Sequence, residues 1–549
     1  MGTGPAGRPV AIVQQRVGGS VETAIGIDLG TTNSVVAILR ENRVEVMPDE
    51  RGNRLHPSVV GFLPSGEVTV GFPARARRHI DPRNTVYSAK RLIGQSIRNP
   101  IVRLAMSTLP YQCEEGPNEQ PLIVIRGKRY TVPELSAFVL RHLKRCAENH
   151  LGAPVSKAVI TVPANFTDAQ RQATKYAGEL AGLKVMRILN EPTAAALAYG
   201  FGRALDAKLA IYDLGGGTFD VTVLQIRDKI FEVLATGGDS FLGGDDFDRV
   251  LLTRLAGDFM EKQRIDLRDN LEAWSRLTTA CEQIKCVLSD EEAAAGTIHD
   301  LAVGPGGEAV GLDFDITRAE FEAMIGPYVE RSIVGCQEVL VSAGFGASML
   351  SDLILVGGST RVPVVRRKVT EYFARTPQTR INPDETVAYG AALQAAALVS
   401  GGLDPGRFYS LLLDVCPRGL GIAVAGGYNE TIVEKNTPVP VERTRRFTTS
   451  KDFQTEVHLQ ISQGEARLFA DNERLGVLML HGLSPRPRGE TVIEVTFVID
   501  SDGILNVRAR DNVSSQETRA TMQVIGAPTR DEGNQGGGPA SGEALPTTL

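Results

Sequence analysis

Two segments of this 549-residue chain repeat one pattern: Ile25-Gly26-Ile27-Asp28-Leu29-Gly30-Thr31-Thr32 and Ile211-Tyr212-Asp213-Leu214-Gly215-Gly216-Gly217-Thr218. Each reads as an apolar strand, Asp-Leu-Gly, a small-residue turn and then a second strand, over residues 35–39 and 221–224. Glycine removes the Cβ, so successive backbone N–H groups can converge on phosphate oxygens, and threonine hydroxyls add donors. An aspartate at the end of each strand can hold a hydrated Mg²⁺, an ion that bridges phosphates and keeps most of its waters. Taken singly, either copy is equally an ordinary β-hairpin with a glycine turn. Two copies facing each other would clamp a triphosphate from both sides. No GxxxxGK[ST] string occurs, so a Walker-type loop is not the cradle.

A third segment, Leu353-Ile354-Leu355-Val356-Gly357-Gly358-Ser359-Thr360-Arg361, is a buried strand running into Gly-Gly, with a helix predicted over 363–373. Gly-Gly lets a flat ring approach the backbone, and the Arg361 guanidinium can lie over an aromatic base. With the two hairpins it completes a nucleotide site: two phosphate grips and one adenosine seat.

The elements that must carry these residues are α/β. Strands are predicted over 25–27, 35–39 and 157–162, and a helix over 133–150 with Leu135, Phe138, Val139 and Leu143 at helical spacing. Thr167 opens another helix as a capping box with Gln170. Strands alternating with helices imply a mixed or parallel sheet covered by helices. After about Ser400 the texture changes to all β: Val457, Leu459 and Ile461 alternate with polar residues, as do Val495, Phe497 and Ile499 up to the turn dipeptide Asp502-Gly503. The expected organisation is a disordered leader at 1–22, a nucleotide-binding α/β domain at 23–402, a linker at 403–415, a β-sandwich at 416–526 and a disordered tail at 527–549. The segment 237–246 reads as a glycine-rich turn and an acidic helix start rather than a metal loop. Trp274 reads as packing.

Composition narrows the function classes. With 59 Lys+Arg against 65 Asp+Glu the net charge is −6, so nothing draws the whole chain to a phosphate backbone, and a nucleic-acid partner is not expected. No run of about 18 apolar residues occurs, so no membrane span is expected. The first twenty residues lack a basic stretch followed by an apolar core, so no secretory signal is expected. Six cysteines (Cys113, Cys146, Cys281, Cys286, Cys336 and Cys416) are scattered without a CxxC pair, which points to a reduced, cytoplasmic chain with neither a zinc site nor a disulfide framework. By spacing, neither His79/His142 nor Cys281/Cys286 has metal-ligating partners.

The two hairpins, together with Asn190-Glu191-Pro192-Thr193-Ala194-Ala195-Ala196 and Gly357-Gly358-Ser359-Thr360-Arg361, resemble the ATPase domain of the DnaK-type heat-shock chaperones, the 70-kDa class. The resemblance runs from about Ala24 to Gly526. It implies an actin-like two-lobed ATPase domain with a duplicated ribonuclease-H-like motif, followed by an all-β sandwich that binds peptide. It implies ATP or ADP with Mg²⁺, and K⁺ as a candidate second cation. By that resemblance Asp28 and Asp213 position the metal, and Gly30, Thr31, Thr32, Asn33, Gly215, Gly216 and Gly217 cradle phosphate. Lys90 approaches the γ-phosphate, Glu191 and Asp220 act near metal and attacking water, and Thr218 lines the γ-phosphate. Glu282, Lys285 and Ser289, together with Gly357, Gly358, Ser359, Arg361 and Asp384, would hold the adenosine. One departure stands out: where the family has an arginine stacked on the base, this chain has Cys286, which predicts weaker nucleotide affinity.

The same resemblance makes the apolar stretch Leu411-Leu412-Leu413-Asp414-Val415 a linker that docks through Leu412 and Leu413 with Asp414 as polar anchor, although it also reads as a first strand of the β module. Pro163 and Arg171 match the relay from nucleotide to linker, and Arg187 matches a contact for a J-domain co-chaperone; a nucleotide exchange factor is the other implied partner. Leu420, Ile422, Phe447, Val457 and Leu459 match the peptide pocket, or else are plain sandwich core. The residues that would arch over peptide, Ala425 and Ser450, are small, and the helical lid is read as missing. The expectation is thus a monomeric ATP-driven chaperone for unfolded or extended polypeptide. Two rivals stand beside it: a nucleotide-switched regulatory or scaffold protein with one dedicated partner, and a metabolite kinase of the same superfold.

Overall fold

The computed structural model describes residues 23–203, 205–378, 381–400, 411–511 and 521–524. The leader at 1–22, the start of the linker and the tail at 527–549 lie outside the described residues.

The α/β region is two lobes built on one plan. In lobe I, strand Ala24–Asp28 pairs antiparallel with Asn33–Arg40 and parallel with Lys157–Val162, and Lys184–Asn190 extends the sheet. In lobe II, Leu205–Leu214 pairs antiparallel with Phe219–Asp228 and parallel with Asp352–Val356. Each sheet therefore centres on a glycine-turn hairpin whose first strand carries an aspartate at its last position (Asp28) or its last but one (Asp213). The predicted strand Lys157–Val162 and helix Pro363–Phe373 stand at the expected limits, and helix Val132–Leu151 exceeds its expected span by one residue at each end. The Thr167–Gln170 capping box is present, each side chain bonded to the other residue's backbone N–H. One local reading is corrected: Gly237, Gly238 and Asp239 finish strand Ile230–Asp239 rather than forming a turn, because all three stay in register with Phe219–Val221; the helix begins later, at Gly244.

Two alanine-rich helices, Glu191–Gly200 and Thr386–Val399, join the lobes. Every residue of the first is buried, as expected of a helix that is apolar on all sides. Their backbones approach so closely that a Cβ at Gly390 would lie 1.8 Å from the Ala194 carbonyl oxygen, and the second helix lies so close to strand Ala24–Asp28 that a Cβ at Gly26 would lie 2.0 Å from the Ala392 nitrogen. Neither contact can yield, since both partners are backbone. Gly390→Ala is expected to destabilise the protein by about 3 kcal/mol or more, at the upper end of overpacking costs; urea unfolding would measure it.

The β module packs two sheets around one core. One has the order Asn429–Val433, Leu420–Ala423, Glu456–Gln463, Glu473–His481, Thr521–Val524, and the other Val441–Thr448, Val492–Ile499, Leu505–Asp511. Ile422, Ile461, Leu478, Val495 and Phe497 fill the space between them. The Asp502-Gly503 turn lies where expected, with Gly503 at φ +74°.

Strand Leu411–Val415 lies in the lobe II sheet, parallel to Ile230–Asp239 through Leu411–Leu413, while Asp414 and Val415 pair with Pro438–Val439 of the β module. The apolar stretch thus closes one sheet and holds the other module's edge.

Candidate functional site

The twin glycine turns face each other across the cleft between the lobes. A Cβ on Gly216 would meet the Thr32 hydroxyl at 2.0 Å, and one on Gly217 would meet Thr31 Cγ2 at 2.7 Å. Glycine at these positions is what allows the two turns to touch. Within lobe I the Ser58 hydroxyl donates to the Gly30 carbonyl at 2.8 Å, and in lobe II Ser359 donates to the Gly215 carbonyl at 2.8 Å. Gly357 is required twice over: its φ is +83°, and a Cβ there would lie 2.7 Å from Asp213 Oδ1.

Behind the turns stand four carboxylates and one cation. Lys90 Nζ donates to Glu191 Oε1 at 2.7 Å, with both side chains buried. Burial, then the neighbouring Glu191 charge, raises the Asp28 carboxyl to about 7, with Lys90 opposing the shift and Thr161 Oγ1 donating to it at 3.4 Å. Burial, then Glu191, Asp220 and Asp28, holds Asp213 well above its ordinary range. Asp220 is raised by burial and Glu191, although the Asn165 amide donates to its Oδ1 at 3.1 Å. Negative charge crowded this way against a single ammonium is what a hydrated divalent cation would neutralise, so the residues present fit Mg²⁺. The opposed glycine turns, with their N–H and hydroxyl donors, likewise fit a polyphosphate.

The residues expected to seat adenosine all make contacts within the protein. Glu282 accepts from Arg75 at 2.8 Å and from Arg78 at 2.9 Å, forming a bridge from lobe I to lobe II. Lys285 pairs with Asp248 at 2.8 Å, and the Ser289 hydroxyl donates back to the Lys285 carbonyl. Arg361 is exposed and bonded to Asp384 Oδ2 at 2.5 Å and to Asn382. Gly358 faces Asp384, and Cys286 is exposed. Thr31, Thr32, Asp245, Asp248 and Glu282 line a cleft of about 660 Å³ with Arg75, Arg78 and Tyr87.

Sequence reasoning did not find the arginines. Arg78 lies with its guanidinium 4.0 Å over the Tyr87 ring, and Arg91 bonds both the Gly217 carbonyl and Asp246. Their only signal was a basic run, Arg75-Ala76-Arg77-Arg78, that resembles any solvated loop. Because Arg78 is a strut of the interlobe bridge and not of the cradle, Arg78→Ala is expected to speed release of a fluorescent ADP analogue about three- to tenfold, on the order of 1 kcal/mol, as a stopped-flow trace would show.

A second set of contacts leads from the carboxylates to the β module. Next to Glu191, the Asn190 side chain donates to Asp414 Oδ2 at 2.8 Å, and Thr193 Oγ1 donates to the same oxygen at 3.0 Å. Leu412 is buried and Leu413 half-buried. From Asp220 the chain runs through Asn165 to the flanking carbonyls of Ala164 and Phe166, which both accept from Arg171; Pro163 is buried beside them. Arg171 also donates to the Asp502 carbonyl at 3.3 Å. The Asp502 carboxylate accepts from Lys175 at 2.7 Å and from the Ile188 amide at 3.2 Å, the Leu505 amide donates to Asp168, and Arg187 reaches the Ser501 carbonyl. A dipeptide legible only as a hairpin turn is therefore also a plug into lobe I.

Of the residues matched to a peptide pocket, Leu420, Ile422 and Leu459 are buried in the sandwich core, and Phe447 and Val457 pack partly against it. Ala425 and Ser450 are exposed. Among the described residues all six cysteines are free. Spacing gave His142 no partners, but Cys146 stands one turn on along its helix and the fold brings His56 to both from the distant strand His56–Pro57. No helix among the described residues is long and apolar enough to cross a membrane.

A family model described as Hsp70 protein matches residues 24–535. The chain belongs to the Hsp70 family, whose members are ATP-dependent chaperones: ATPases that bind ATP or ADP with Mg²⁺ and act on unfolded polypeptides together with co-chaperones. Two actin-like ATPase lobes followed by a β-sandwich are the architecture of that family.

Proposed function

We propose that nucleotide in the interlobe cleft controls how firmly the β module holds extended apolar polypeptide, in the manner of the DnaK-type members. The observation that carries this reading is the continuity of contacts from Glu191 through Asn190 to Asp414, and from Asp220 through Asn165 and Arg171 to Asp502. A change in charge at the carboxylates acts on the same strand and helix ends that hold the linker and the β module. Coupling of this kind is reciprocal, so peptide must bias nucleotide as much as nucleotide biases peptide.

In this reading Asp28 and Asp213 hold the hydrated metal, with K⁺ as a candidate second cation. Mg²⁺, when bound, neutralises phosphate charge. Gly30, Thr31, Thr32, Asn33 and Gly215 to Gly217 orient the phosphates by backbone N–H and hydroxyl groups. Lys90 stabilises charge developing on the γ-phosphoryl oxygens, while Glu191, Asp220 and Thr218 orient the attacking water. Glu282, Lys285, Ser289, Gly357, Gly358, Ser359, Arg361 and Asp384 seat the adenosine, which requires Glu282 to share itself between ribose and the two arginines. Pro163, Arg171, Leu412, Leu413 and Asp414 carry the coupling. Arg187 meets a J-domain co-chaperone, and a nucleotide exchange factor resets the cycle. Unpaired thiols are in keeping with a reduced cytoplasmic compartment and a stress-response role.

The test is single-turnover ATP hydrolysis with and without an extended apolar peptide, on the full chain and on one ending at Gly402. Stimulation of the full chain alone is the expected result; stimulation of neither refutes the coupled cycle. The burial of Leu420, Ile422 and Leu459 favours a second reading, a nucleotide-switched scaffold with one dedicated partner. Competition by unrelated apolar peptides separates the two, since a dedicated binder ignores them.

A further inference from the structure

Outside the nucleotide site, lobe I encloses three side chains whose chemistry the ATPase does not use. His142 and Cys146 stand one turn apart on helix Val132–Leu151 and so present the same face. His56 comes from the short strand His56–Pro57, which pairs with Asn33–Arg40 and brings its ring to that face. His56 Nδ1 lies 3.3 Å from His142 Nε2, and Cys146 Sγ lies 3.7 Å from His142 Nε2 and 4.0 Å from His56 Nδ1. All three residues are buried.

We propose that His56, His142 and Cys146 form a site for one borderline-soft divalent transition-metal ion of the Zn²⁺ class. Zn–N bonds of about 2.0–2.1 Å and Zn–S bonds of about 2.3 Å, at angles between tetrahedral and trigonal, place two nitrogens about 3.3–3.6 Å apart and nitrogen and sulfur about 3.6–3.8 Å apart. The observed triangle matches these separations with at most a few tenths of an ångström of adjustment. The outer contacts are those of a ligating histidine. His56 Nε2 lies 3.0 Å from the Met47 carbonyl, which can only accept, so Nε2 carries the proton and Nδ1 turns its lone pair inward. Burial, reinforced by the two imidazoles' proximity, lowers His142 to about 4, so His142 stays neutral and able to ligate at physiological pH. Burial raises the free Cys146 thiol to about 11, so the metal must displace its proton on binding. Imidazole and thiolate donors select Zn²⁺ and its neighbours over Mg²⁺ and Ca²⁺, which need oxygen.

The bland alternative is a core hydrogen bond from His142 to His56 with a packed thiol beside it. In either arrangement His142 Nδ1 is buried without a hydrogen-bond partner among the described residues, and the bland one gives the sulfur no role. It predicts no metal affinity, so titration decides between the two.

Full-length, metal-stripped protein in excess MgCl₂ would be titrated with ZnCl₂ against a chromophoric chelator, and separately with CoCl₂ followed by absorption. The excess Mg²⁺ occupies the carboxylate site, and a thiolate-to-cobalt charge-transfer band reports sulfur ligation alone. The expected result is one equivalent of Zn²⁺ and a cobalt band, both kept by Cys286→Ser. Cys146→Ser should remove the band and weaken Zn²⁺ by about a hundredfold or more, since outer-contact losses alone cost about 10–100-fold. As a check independent of any variant's folding, X-ray absorption on the wild-type zinc complex should show one sulfur and two imidazole nitrogens. Less than stoichiometric binding, a sulfur-free shell, or a band that survives Cys146→Ser overturns the proposal.

Discussion

Replacing Lys90 by alanine should lower the single-turnover rate of ATP hydrolysis by about 10²–10³-fold, the usual cost of removing one preorganised group aimed at developing charge. Lys90 is the one ammonium placed among Asp28, Glu191, Asp213 and Asp220, and it is bonded to Glu191 at 2.7 Å. In the proposed reading the glycine turns, not Lys90, hold the phosphates, so nucleotide affinity should change far less than the rate. Calorimetric titration of Mg·ATP beside quenched-flow hydrolysis would separate the two effects. The substitution also leaves Glu191 buried without its partner, and breaking a buried pair costs about 3–5 kcal/mol. The nucleotide-free variant should therefore melt earlier, and Mg·ATP should recover much of the loss through ligand binding to the folded state. A variant that hydrolyses ATP at the native rate would remove Lys90 from the chemistry and leave it as a structural counter-ion.

Asp502→Ala should release the β module from lobe I. The carboxylate is nearly buried and receives both the Lys175 ammonium and the Ile188 amide. Truncating one side of a desolvated hydrogen-bonded pair costs about 2–5 kcal/mol, so the docking equilibrium constant should fall by about thirtyfold or more. Amide hydrogen exchange reads this directly. The Ile188 and Leu505 amides, bonded to Asp502 and Asp168 across the interface, should lose protection together. Amides of strand Lys157–Val162, held within the lobe I sheet, should not change. A double-mutant cycle with Lys175→Met would give the coupling between the pair. If Ile188 and Leu505 remain protected in Asp502→Ala, the turn is a passive neighbour and the relay through Arg171 does not hold the modules together.

Much of this molecule can be read from local pattern. The duplicated Asp-Leu-Gly hairpins, the apolar strand Lys157–Val162, the capping box at Thr167 and the switch to alternating β texture all rest on short-range rules: two- and 3.6-residue periodicity, cap chemistry, and glycine where a turn must stay narrow. Asp28, Asp213 and the glycine turns stand out in the sequence because their neighbours in sequence are also their neighbours in space. Gly237-Gly238-Asp239 was misread for the converse reason. Its composition suggests a turn, but nine strand residues in register with Phe219–Asp228 override it.

The sequence by itself determined two Asp-Leu-Gly hairpins with glycine turns, an α/β-to-β division and the candidate metal carboxylates. The tertiary structure decided which distant groups became partners. Glu282 faces Arg75 and Arg78 only because the lobes close on each other, and Asp502 meets Lys175 only because a hairpin of one module enters a groove of the other. His56 joins His142 and Cys146 only because the strand His56–Pro57, far from that helix in sequence, is packed beside it. Periodicity constrains a chain over a few residues. Close approach between residues far apart in sequence is set by how whole sheets and helices exclude water from their shared surfaces, and no local spacing encodes it.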